Sequence, residues 1–183
     1  VQLPEIVEDG SPASKAGYKN IADISKERIR RVIQKIKKDK ENKPGLFDTA
    51  NTDLGFKVFK LSPSNFKIWR GNEITEDNLL QQLDAFTEPV NEGSKEQNIL
   101  FELMIKAGYL LTDKVEAKNK YYAISNGELI IALAEISQPV IDEIIAAKPQ
   151  KVITLDSLFE GNDQLKTNTV LQMRDAGIDF KTI

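Results

Sequence analysis

Nine Lys or Arg side chains fall between Lys26 and Lys43 (Lys26, Arg28, Arg30, Arg31, Lys35, Lys37, Lys38, Lys40, Lys43) against three acids, Glu27, Asp39 and Glu41. That stretch carries +6 in a protein whose net charge is −3, so the remainder carries −9. A charge asymmetry of this kind marks either a face for nucleic acid or an acidic partner, or a solvated helix whose last-turn lysines complement the macrodipole. The other chemistry on offer is sparse. The 183 residues contain no histidine and no cysteine, which excludes Cys/His zinc sites, a thiol nucleophile, a Ser-His-Asp triad and imidazole base catalysis. The ten glycines never lie closer than seven positions apart, so no clustered-glycine loop is present to cradle a phosphate. The carboxylate pairs Asp142–Glu143 and Asp113–Glu116 have the residue types for acid–base work, but their charge-rich settings point to solvated surface. Trp69, with Phe66 as its nearest aromatic neighbour in sequence, suits packing better than base stacking. No catalytic residue and no metal site is expected.

The elements that must position the basic run follow from periodicity. Ile29, Val32, Ile33 and Ile36 recur at i, i+3, i+4 and i+7, predicting an amphipathic helix that runs to about Glu41, is roughly 25 Å long, and takes Asp23 or Ser25 as its N-cap. Before it, Val1-Gln2-Leu3 reads as the end of a strand stopped by Pro4, followed by loop to Gly17. After it come a polar loop over 42–53 and a strand Leu54–Leu61 with apolar residues on both faces. Helices are predicted at Glu76–Thr87, capped by Thr75, and at Glu96–Ala107, ended by Gly108 and apolar enough to belong in a core.

The rest alternates. Strands are expected at Leu110–Ala117, Tyr121–Ser125 and Glu128–Glu135, the last two joined by the Asn126-Gly127 turn. A helix Gln138–Lys148, a strand Val152–Leu155, a helix Asp163–Ala176 closed by Gly177 and a strand Ile178–Thr182 complete the chain. The fold class is therefore α/β, a mixed sheet with packed helices and a C-terminal β-α-β-α-β order. Hydrophobic residues make up 40% and charged residues 29%, the balance of a globular protein. The longest apolar run, Leu129–Ala134, has six residues, far short of the roughly 20 a membrane-spanning helix needs. A first residue of Val rather than Met suggests a piece of something longer.

Several stretches are familiar together and in this order: Val1-Gln-Leu-Pro-Glu5, Ala16-Gly-Tyr-Lys-Asn-Ile21, Ile24-Ser-Lys-Glu-Arg-Ile-Arg-Arg31, Asp53-Leu-Gly-Phe-Lys-Val-Phe-Lys-Leu61 and Phe159-Glu-Gly-Asn-Asp-Gln-Leu-Lys-Thr-Asn168. The sequence resembles the C-terminal region of the modification subunit of type III restriction–modification systems, site-specific DNA adenine methyltransferases that use S-adenosylmethionine. The resemblance implies that residues 1–62 are the C-terminal remnant of a Rossmann-like methyltransferase domain and 63–183 a C-terminal α/β domain. Neither the family's Asp-Pro-Pro-Tyr motif nor its Phe-x-Gly-x-Gly cofactor loop occurs here, so the fragment itself is expected to be inactive and to bind no cofactor tightly. Its implied roles are structural, in self-association and in docking the restriction subunit, within a cytoplasmic enzyme that acts on DNA. In related amino-methyltransferases an acid at the end of the first strand holds the ribose of the cofactor. Gln2 aligns there with Glu5 three residues on, which makes these two the cofactor-binding candidates. Lys26, Arg28, Arg30, Arg31 and Lys35 become candidates for contact with DNA phosphates or a partner subunit. The alternative is a self-contained protein-interaction module with no catalytic parent.

Overall fold

In a computed structural model, the structure describes residues 2–42, 53–68, 74–75, 77–80, 83 and 88–183. The chain divides into two compact units, Val1–Phe59 and Lys60–Ile183.

In the first unit, Ser11 and Pro12 open a one-turn helix within the expected loop, α1 (Pro12–Lys15), with the Ser11 hydroxyl accepting from the Ser14 N–H at 3.2 Å. Serine at the cap and proline at the first helical position form the usual start signal. The backbone at Ile6 then bridges antiparallel to Asn20, with Val7 N–H donating to the Lys19 carbonyl at 3.1 Å and Ile21 N–H to the Glu5 carbonyl at 3.0 Å. That bridge sets the start of α2 (Ile21–Asn42). The cap is Asn20, whose Oδ1 accepts from Asp23 N–H at 2.9 Å, so the helix starts earlier than the expected Asp23 or Ser25 cap. Asp23 sits in the first turn instead. Over its 22 residues α2 spans about 33 Å, longer than expected.

Two expected strands do not form among the described residues. Residues 2–5 have no ladder partner, and residues 53–61 run without regular secondary structure. A strand exists only where a neighbour takes up its N–H and C=O groups. None of the described residues of the first unit is buried, so the unit offers no sheet for either segment to join. The polar loop over 42–53 and the helix over 76–87 lie largely outside the described residues, as does Trp69.

The second unit is built on a five-stranded mixed sheet in sequence order β1 to β5: β1 (Val115–Ala117), β2 (Tyr122–Ile124), β3 (Leu129–Ala132), β4 (Lys151–Thr154) and β5 (Asp179–Thr182). The first three strands pair antiparallel and the last three parallel. β1 is shorter than the expected Leu110–Ala117 because Asp113 turns the chain, its Oδ2 accepting from Leu110 N–H at 2.9 Å. The β2–β3 hairpin turns through Ser125, Asn126 and Gly127, all with positive φ, the conformation for which an Asn-Gly pair is suited.

Helices α4 (Gln138–Ala147) and α5 (Asp163–Asp175) are the two parallel crossovers. Val140, Ile141 and Ile144 of α4 and Met173 of α5 close over Ile130, Ala132 and Val152 on one face of the sheet. On the other face α3 (Glu96–Lys106) packs Ile99, Leu100, Leu103 and Met104 against Ile124, Leu129, Ile131 and Ile153. With both faces covered, every residue of β3 is buried, which is why Leu129–Ala132 reads as a continuous apolar run rather than an alternation. The second unit is thus three layers deep, helix, sheet and helices.

Candidate nucleic-acid interface

The basic candidates all lie on α2. At about 100° per residue, its apolar residues Ile21, Ile29, Val32, Ile33 and Ile36 form one stripe, and the cations flank it on both sides. Arg28, Arg31, Lys35 and Lys38 fall along one flank, while Lys26, Arg30 and Lys37 fall along the other. The five candidates are therefore not one patch: Arg28, Arg31 and Lys35 are brought together, and Lys26 and Arg30 are turned away from them.

Glu27 organises part of this array. Its carboxylate accepts from Arg31 Nε at 2.9 Å and lies 3.9 Å from Arg30 Nη1. The Arg31 guanidinium also donates to the Tyr18 hydroxyl at 3.4 Å. The hydrogen bond to Glu27 raises the pKa of Arg31 above its ordinary value, so its charge is fixed at any working pH. Lys26 is held by Asp23 at 2.6 Å, an ion pair that lowers the Asp23 pKa. Arg28 and Lys35 have no ion-pair partner among the described residues and are exposed. Tyr18 and Glu27 were not singled out in the sequence as positioning residues. The Glu27–Arg31 spacing of i, i+4 was the available signal for one of them; the Tyr18 contact has no local signature.

The stripe between the two flanks is uncovered. Ile29 is 44% and Val32 56% exposed, although a stripe of this width on a helix ordinarily faces a core. Phe56 and Val58 on the extended segment are also exposed. The first unit thus presents apolar surface and cations together.

Of the cofactor candidates, Gln2 and Glu5 are both exposed. Gln2 Nε2 donates to the neighbouring Leu3 carbonyl at 3.2 Å, and the Glu5 backbone is tied to the start of α2. No side-chain contact brings the two together among the described residues.

The carboxylates of the two candidate pairs are engaged in contacts within the second unit. Glu116 sits between Lys114 at 2.7 Å and Lys118 at 3.3 Å, whose hydrogen bonds lower its pKa. Asp142 accepts from Gln138 at 2.8 Å. Glu143 accepts from the Tyr121 hydroxyl at 2.8 Å, and burial together with that bond pushes Tyr121 up to about 12. Among the described residues no group of three or more acids could hold a metal ion. No helix among them is long and apolar enough to cross a membrane.

No family model matches the chain, and no solved structure matches it. A curated protein does: the type III restriction-modification enzyme EcoP15I Mod subunit of Escherichia coli, 29% identical. The match takes in 94% of this chain and 25% of that protein, so the chain spans about a quarter of the length of the relative. Over nearly its whole length, then, this sequence is similar to part of the modification subunit of a type III restriction–modification enzyme.

Proposed function

We propose that the chain is the C-terminal portion of a type III modification subunit, an S-adenosylmethionine-dependent DNA adenine methyltransferase that works with a restriction subunit. Residues 1–62 complete the methyltransferase domain, and 63–183 form a domain for self-association and for docking the restriction subunit. The observation that carries this reading is the similarity to the EcoP15I Mod subunit over 94% of the chain. The first unit agrees with it in physical terms. A helix with an exposed apolar stripe and an extended apolar segment, in a unit with no buried residue among those described, has the form of a piece that packs on a larger sheet.

In the whole enzyme, S-adenosylmethionine supplies the methyl group and the target adenine leaves the duplex to receive it. Gln2 and Glu5 lie at the cofactor edge, and the Arg28, Arg31 and Lys35 flank of α2 contacts phosphates, which positions the duplex without reading sequence.

Two measurements test this. The 183-residue chain alone is expected to transfer no label from S-adenosylmethionine to DNA. Added to a modification subunit truncated at the corresponding point, it is expected to restore methylation. Transfer by the chain alone, or no restoration in the mixture, overturns the assignment. For the interface, Arg28→Glu, Arg31→Glu and Lys35→Glu together in the intact enzyme should weaken binding to every duplex alike. The slope of log affinity against log salt should also flatten by about 2.7, or 0.9 per lost phosphate contact. An unchanged slope returns α2 to a solvated helix.

A further inference from the structure

β5 is the last strand of the sheet, and among the described residues nothing pairs with its outer edge. The N–H groups of Asp179 and Ile183 donate inward, to the carbonyls of Gln150 at 3.0 Å and Thr154 at 3.0 Å. By the alternation of a strand, Phe180 and Thr182 therefore turn their N–H and C=O groups to the free edge. An antiparallel neighbour can bond there in a few registers only. If the neighbour is a second β5, one register sets Phe180 opposite Phe180 and a second sets Lys181 opposite Lys181.

Charge selects between them. In the first register Asp179 of each copy stands directly across from Lys181 of the other, and in the second two ammonium groups face each other. Opposite charges in directly opposed positions stabilise a strand pair, and like charges oppose it. Asp179 and Lys181 share the face that carries Lys151, and within one copy the Asp179 carboxylate already lies 3.7 Å from both Lys151 and Lys181, loose contacts that leave it open to the Lys181 of a second copy. The row across the new pair therefore alternates plus, minus, plus. Charged residues on an edge ordinarily keep other strands away, but these two are complementary to themselves.

We infer that the β5 edge is a docking surface for a second copy of this chain, forming a two-fold antiparallel β5–β5 pair centred on Phe180. α5 supports the same axis. Its Gln172 faces α4 through Gln138 at 3.1 Å, and its Lys166 reaches Asp156 at 2.7 Å, whose own N–H bonds the Ile183 carbonyl at the end of β5. Val170, one turn beyond Lys166, lies on the flank away from α4 and is 44% exposed. It stands about 7.5 Å back from Asp175 at the end of α5, a distance matched by about two residues along β5 at about 3.3 Å per residue. The two-fold that pairs the strands thus places both Val170 side chains on one side of the junction.

The surface deepens the self-association proposed above and rests on that reading for the claim that two copies meet. Its test reads the second unit alone, so it can fail while the methylation experiments succeed, and the reverse. Because the chain has no cysteine, Asp179→Cys and Lys181→Cys each introduce a single thiol at an exposed position. Directly opposed residues place their Cα atoms about 4.5–5.5 Å apart, within disulfide reach. Two copies of position 181 lie about 8 Å apart in this register, beyond it. In glutathione disulfide buffer an equimolar mixture of the two variants is expected to give at least fivefold more covalent dimer than either variant alone. In parallel, Lys181→Glu should weaken dimerisation in sedimentation at least tenfold. Equal yields in all three samples, fastest cross-linking by Lys181→Cys alone, or a monomer at the highest soluble concentration each overturn the proposal.

Discussion

Phe159→Ala is expected to destabilise the second unit by about 3–5 kcal/mol and to lower its melting temperature by roughly 10–20 °C. Phe159 is 2% exposed and ends the turn Asp156–Phe159 that leads from β4 toward α5. Its ring meets that of Phe180 edge to face, with centroids 6.4 Å apart and planes at 85°, so the side chain ties the crossover to the last strand. The truncation removes this contact and leaves a cavity under the start of α5. It acts on the helix start as well, because the Phe159 carbonyl accepts from Asn162 N–H at 2.9 Å and Asn162 Oδ1 caps α5 through Leu165 N–H at 3.0 Å. The neighbouring exposed Glu160 is the control: Glu160→Ala should change stability by no more than about 0.5 kcal/mol. A loss below about 1 kcal/mol for Phe159→Ala in a thermal or urea titration would remove Phe159 from the core.

The second unit was legible because its local signals agree with its packing. Gly108 and Gly177 end α3 and α5 with positive φ, Asn126-Gly127 turns the hairpin, and Val140, Ile141 and Ile144, one stripe of the helix Gln138–Lys148 in the sequence, are buried together. The first unit was less legible for a physical reason. Leu54–Leu61 has the residue types of a strand with both faces covered, yet a ladder needs a neighbour, and the described residues of that unit hold no buried side chain to build one on. The α2 stripe was visible as a period, but a period does not say what it meets. The Asn20 cap has no local signature, because it stands at a bridge to Ile6 that joins residues 14 positions apart. The basic run was legible as a charge total and not as a geometry: only the helix shows that Arg28 and Lys35 share a flank from which Lys26 and Arg30 are turned away. Charge complementarity across the β5 edge had no sequence signature: Asp179 and Lys181 pair along their own strand at 3.7 Å, and only a second edge in the right register sets each across from the other.

Glu102 makes the larger electrostatic prediction. It lies on α3 and receives four donors: the Ser64 hydroxyl, the Asn65 N–H at 2.7 Å, the Asn65 side-chain amide at 2.8 Å and Lys106 Nζ at 2.9 Å. This fastens a segment 37 residues away in sequence and brings buried Phe66 under the Lys106 ammonium, 4.4 Å from the ring centre. Burial raises the pKa of the carboxyl, but the bonds from Ser64, Asn65 and Lys106 outweigh it and hold Glu102 at about 2, below its ordinary 4.5. The unfolded chain therefore binds the proton more readily than the folded one between those values. The stabilisation is fully present above pH 4.5 and is lost as the pH falls toward 2. Glu102→Gln keeps the shape and removes the charge, and at pH 7 it should cost about 1–3 kcal/mol. The difference between the two proteins should narrow steadily from pH 5 to pH 2, because acid gives the native carboxyl the neutrality that glutamine already has. Lys106→Met should cost less, under about 1 kcal/mol, since that ammonium is half exposed and the other three donors remain. Urea titrations of the three proteins across this range separate the possibilities. A Glu102→Gln deficit that stays constant with pH would assign the latch to hydrogen-bond geometry alone, whereas an equal deficit in Lys106→Met would make the ion pair its main element.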